Sequence, residues 1–101
     1  MSIEVLISVI LLGISLIYFL LPPKKINYLY GYRTSKSMKN QENWLLANRL
    51  GAKYFLISSI FNVITSIGLN FLLKIQFSEW FIALLIIEFI IIFYLTEKQL
   101  K

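Results

Sequence analysis

Few residues in this chain are equipped for chemistry. Its 101 residues include no cysteine and no histidine, which removes thiol nucleophiles, thiolate metal sites and the usual general base near neutral pH. Paired-carboxylate chemistry needs two acids flanking one bond. Glu42, Glu79 and Glu88 fall at three different levels of the helices outlined below, so no two of them can share a substrate. An enzyme is therefore not expected, and no cofactor is implied.

Two polar features remain, both inside apolar runs. Ser59, Asn62, Ser66 and Asn70 recur at spacings of three and four, which puts them in a stripe along one helix face. Such a stripe belongs against protein rather than lipid, as packing contacts between helices or as the lining of a small cavity or pathway. Glu88 lies near the middle of an apolar helix, where a charge costs about 2.5–3.5 kcal/mol on insertion scales. The twelve Ile, Leu and Phe residues between Trp80 and Thr96, at roughly −0.3 to −0.6 kcal/mol each, outweigh that penalty. Structural pairing and a proton-relay or ion-site role are the two readings of such an acid, and its depth makes Asn62 the expected hydrogen-bond partner.

The elements that must carry these groups follow from composition. An apolar fraction of 58% exceeds the roughly 45–50% of soluble domains, and a chain this short cannot hide it in a water-soluble core. About 20 residues of helix cross a ~30 Å hydrocarbon layer. The expected fold is an all-α membrane protein with three transmembrane helices over about 3–21, 54–73 and 80–96. Pro22-Pro23 stops the first. That first run is not expected to be a cleaved signal, because it has Glu4 in place of a basic start and no small-residue cleavage site.

Loop 22–53 carries Lys24, Lys25, Arg33, Lys36, Lys39, Arg49 and Lys53 against one acid, Glu42. By the positive-inside rule these seven cations, against Lys74 alone between the second and third runs, place the loop and the C-terminus in the cytoplasm and the N-terminus outside. Within the loop, Gly31 is free to take φ > 0, and Ser37 or Asn40 can cap a short helix over about 40–51. Trp44, Ala47, Asn48 and Gly51 share one face of that helix. It is expected to be an interfacial amphipathic helix leading directly into the second span. Anionic lipid accounts for the loop's charge; nucleic acid is not expected as a partner.

Pro22-Pro23, Asn27, Tyr30-Gly31-Tyr32-Arg33-Thr34, Ser37-Met38-Lys39-Asn40, Trp44, Ala47-Asn48 and Gly51 resemble the signature of the SdpI/YfhL family. These are bacterial membrane proteins named for immunity to a secreted sporulation-delaying toxin, and the chain resembles a single module of the longer immunity proteins. The resemblance implies a bacterial plasma membrane, no cofactor, and a protective or signalling role. The partner would be a membrane-active peptide toxin or a cytoplasmic regulator, met by a platform including Tyr30, Tyr32, Arg33 and Trp44. The rival readings are a small transporter, which requires a homo-oligomer because three helices enclose little of a pore, and an assembly subunit of a larger membrane complex.

Overall fold

A computed structural model of the chain describes residues 3–27, 29–72 and 78–101. Helix α1 spans Ile3–Leu20, α2 spans Gln41–Ile67 and runs on as a π-helical turn over Gly68–Leu72, and α3 spans Ser78–Glu97. No strand occurs among the described residues. All three helices are long and apolar enough to cross a membrane. Most of the stretch 74–79 between the second and third expected spans lies outside the described residues, and Ser78 and Glu79 already belong to α3.

Each boundary has a local cause. The Leu21 N–H still donates to the Ile17 carbonyl at 2.8 Å; Pro22 has no N–H to continue the ladder. Asn40, in extended conformation, accepts from the Asn43 N–H through its side chain at 2.7 Å and caps α2. The helix expected over 40–51 and the second span form one unbroken rod of 27 residues, about 40 Å long. At its far end the Asn70 side chain donates to the Ser66 carbonyl at 2.8 Å, the acceptor an α-helix would reserve for the Asn70 backbone N–H. There the ladder widens into the π turn.

Packing is inverted relative to a soluble bundle. Much of the interior is small and polar: Ser8 and Ser15 of α1 and Ser59 and Ser66 of α2 are buried, as are Asn62 and the larger Trp44 and Phe81. Ile10, Ile17, Phe61, Ile64, Ile86, Ile90 and Phe93 face outward. Small interior residues let backbones approach closely where lipid, not water, is the solvent. The serines satisfy themselves on helix carbonyls, Ser8 on Glu4 at 2.7 Å and Ser15 on Leu12 at 2.9 Å. Helix α2 packs most extensively on α1, less on α3, and α1 meets α3 least.

Candidate functional site

The loop motif forms a junction among all three helices, and Asn48 is its centre. Tyr18, in the last turn of α1, donates its hydroxyl to Asn48 Oδ1 at 2.6 Å, and the Tyr32 N–H donates to the same oxygen at 2.6 Å. Asn48 Nδ2 donates to the Trp44 carbonyl at 2.9 Å and to the Tyr32 carbonyl at 3.4 Å. A side-chain amide has two acceptor and two donor positions, and all four are used in a residue only 1% exposed. The turn delivering Tyr32 depends on Gly31, whose φ is +107°, a region costly for residues with a Cβ.

Further ties fix the rest of the loop. The fully buried Trp44 indole donates to the Pro23 carbonyl at 2.9 Å. Asn27 Oδ1 accepts from the Leu29 and Tyr30 N–H groups at 3.0 and 2.7 Å, and the Tyr30 hydroxyl donates to the Leu21 carbonyl at 2.8 Å. Thr34 and Ser37 bond reciprocally, the Thr34 N–H to Ser37 Oγ at 2.7 Å and the Ser37 N–H to Thr34 Oγ1 at 3.1 Å.

Glu97, at the end of α3, closes the junction. Its Oε1 accepts from the Tyr32 hydroxyl at 2.8 Å and from Thr34 Oγ1 at 2.5 Å, while the Tyr32 ring leans on Phe93 with centroids 6.3 Å apart. Burial pushes the Tyr32 phenol well above its ordinary pKa, and donation to the Glu97 carboxylate adds to the shift. The junction thereby keeps its phenol as a donor.

The predicted residues separate by location. Asn48, Trp44 and Ser37 are buried and hold the loop together; Arg33 and Asn40 are exposed, and Tyr30 and Gly31 line the outer surface. Trp44 is therefore an internal strut that no partner touches while the fold is closed. Beside the junction, an aromatic groove of about 600 Å³ runs between α1 and α3, walled by Ile14, Tyr18, Tyr30, Tyr32, Phe55, Phe89 and Phe93.

Deeper in the span, the hydrogen bond to Glu88 comes from Ser58, whose hydroxyl donates to Oε2, rather than from the expected Asn62. Ser58 is one turn nearer the loop than Asn62, and its hydroxyl lies at the level of the carboxylate. Asn62 and Glu88 do line one small cavity, about 10 Å³, with Leu11, Phe55 and Leu85. Asn62 Oδ1 and Glu88 Oε1 are both buried without a hydrogen-bond partner. Asn62 is joined by Ser59 and Ser66 on the buried face, and Asn70 is half-buried in the π turn. Among the described residues, no group of three or more acids is placed to hold a metal.

Sequence reasoning did not anticipate Tyr18, Ser58 or Glu97. One signal for Glu97 was available: Tyr32 and Thr34, two apart in an extended segment, put both hydroxyls on the same side and so call for a shared acceptor.

Comparison with known proteins places the chain in a wider group. The SdpI/YfhL protein family matches residues 24–96, a stretch from the first loop lysine almost to Glu97. The uncharacterized protein YfhL of Bacillus subtilis (strain 168) is 45% identical over 82 residues, covering 81% of this chain and 71% of that protein. No solved structure matches. The chain belongs to the SdpI/YfhL protein family.

Proposed function

We propose that this chain is a multi-pass protein of the bacterial plasma membrane that protects its host by engaging a membrane-active peptide, with its basic loop cytoplasmic. The observation that carries this reading is the shared wall of groove and junction. Tyr18, Tyr30, Tyr32 and Phe93 line the aromatic groove, and Tyr18 and Tyr32 also make the bonds that fix the loop. An apolar peptide segment lying in the groove would bury its side chains against rigid aromatic rings, the type of surface that dominates binding hot spots.

The same shared wall supports signalling as the second reading. A peptide pressing on Tyr32 or Phe93 competes with the Tyr32–Glu97 bond, so occupancy of the groove and the position of the loop are coupled. A cytoplasmic regulator bound to exposed loop residues such as Arg33 would sense that change. Neither reading includes a bond-making step. Transport is less well supported, because the cavity at Glu88, about 10 Å³, has room for about one water molecule.

The test is survival of a sensitive bacterial host expressing the chain, challenged with a panel of secreted membrane-active peptides. Ile14→Trp fills the groove from a half-exposed position and is expected to abolish protection at unchanged membrane levels. Arg33→Ala separates the two readings: protection survives it if the groove alone acts and is lost if the loop relays the signal. Protection that persists in Ile14→Trp overturns the groove as the site.

A further inference from the structure

A second groove, of about 660 Å³, shares no lining residue with the first. Phe19 and Pro22 form one wall and Leu45 and Ala52 the other, and Lys24 and Arg49 stand at the same groove. Its lining runs from Phe19 in the last turn of α1 to Lys24, where the chain turns polar, the composition of a segment that passes from hydrocarbon to headgroups. No acid is among its lining residues, and both cations have exposed side chains.

We propose that this groove is a binding site for one anionic phospholipid. Its apolar walls take the upper part of an acyl chain, and Lys24 and Arg49 hold the phosphate. Arginine meets phosphate oxygens through a planar fork and lysine as a compact point charge, so the pair favours a phosphodiester whose headgroup carries no cation of its own. The site differs from the general attraction of a basic loop to an anionic surface in that two of the seven loop cations should account for most of the selectivity. A neutral zwitterionic lipid brings its own cation to the same place and loses that advantage.

Trp44 provides the readout, since its indole is bonded to Pro23, itself part of the groove wall. The other tryptophan, Trp80, is 78% exposed at the start of α3, and Trp80→Phe leaves Trp44 as the sole tryptophan, which is excited selectively at wavelengths above the tyrosine band. The full chain carrying Trp80→Phe is reconstituted in vesicles of mixed phosphatidylglycerol and phosphatidylcholine, with dibrominated chains placed on one lipid at a time. Brominated phosphatidylglycerol is expected to quench Trp44 at lower mole fraction, with a preference on the order of tenfold. Lys24→Gln with Arg49→Gln should remove that preference, so that brominated phosphatidylcholine then quenches Trp44 as effectively as brominated phosphatidylglycerol. Lys36→Gln with Lys39→Gln should leave it intact.

Equal competition by the two lipids in the Trp80→Phe protein overturns the proposal without any further variant. So does equal loss of preference in both double variants, which would mark a diffuse attraction. If the Lys24 and Arg49 pair cannot be replaced together, Arg49→Lys retains the charge, loses the fork and should keep only part of the preference. An unchanged preference there, together with an unchanged preference in Lys24→Gln, also overturns the site.

Discussion

The side-chain oxygen of Asn48 lies directly under Gly31: a Cβ built on that glycine would sit 2.5 Å from Asn48 Oδ1 and 2.6 Å from Pro23 Cγ. The amide can reach the Tyr32 N–H because the neighbouring residue has no side chain. Two glycines of the motif therefore differ sharply in what they tolerate.

Gly31→Ala is expected to destabilise the folded protein by about 2–4 kcal/mol, from the left-handed backbone and the collision together. Gly51→Ala should change stability little. Its added Cβ meets Tyr18 Oη and Tyr32 Cδ2 at 3.5 Å, ordinary contact. Thermal unfolding of both variants in mild detergent, followed by circular dichroism, ranks them; equal midpoints would contradict the close approach at Gly31.

Asn48→Ala takes the acceptor from the Tyr18 hydroxyl and one donor each from the Trp44 and Tyr32 carbonyls and should cost about 2–4 kcal/mol. Tyr18→Phe removes its donation to Asn48 and its acceptance from the Tyr32 N–H but leaves that N–H bonded to Asn48, and should cost about 1–2 kcal/mol. Asn48→Asp keeps the acceptors but has no donor for the Trp44 and Tyr32 carbonyls, so it is not a conservative change. A double-mutant cycle between Tyr18→Phe and Asn48→Ala should give a coupling of about 0.5–3 kcal/mol. Strict additivity would remove the Tyr18–Asn48 bond from the account.

The raised pKa of Tyr32 has a defined pH signature. Folding favours the protonated phenol, so this stabilisation is fully present below the unfolded-state tyrosine value of about 10. It is lost as pH climbs from there toward the raised folded-state value. Unfolding midpoints taken from pH 8 to 11 should fall more steeply at the alkaline end in the wild type than in Tyr32→Phe. Parallel curves would mean that the phenol is not held by burial and Glu97.

Glu88→Gln is expected to insert and fold like the wild type, since the amide keeps an acceptor for the Ser58 hydroxyl and adds a donor where Asn62 Oδ1 has none. Ser58→Ala should cost little, near the ~0.6 kcal/mol average for bonds between membrane helices. Membrane yield and detergent melting report both, and an unfolded Glu88→Gln protein would show that the carboxylic acid itself is required.

Spans were legible in the sequence because lipid imposes a length and an apolar composition that nothing else in the chain shares. The periodicity of Trp44, Ala47, Asn48 and Gly51 puts these residues on one face, but no local pattern tells what the face meets. In the structure Asn48 on that face bonds Tyr18 and Tyr32, 30 and 16 positions away. The Glu88 partner illustrates the limit of counting. Depth along antiparallel helices is resolved only to about one turn, and Ser58 and Asn62 are one turn apart. Glu97 was hidden by its neighbourhood, because an acid beside lysines at the end of a helix has the same composition as a solvated tail.

Glu97 also dates the completion of the fold. Tyr32 and Thr34 are made early, but their acceptor belongs to the final turn of α3, 65 and 63 positions later. A ribosome delivers the chain in order, so α1, the loop and α2 can be in place while these two hydroxyls still lack their acceptor. The last helix thus acts as a latch: until it has inserted, the loop is incompletely held, and the cell has an interval in which an unfinished molecule differs chemically from a finished one.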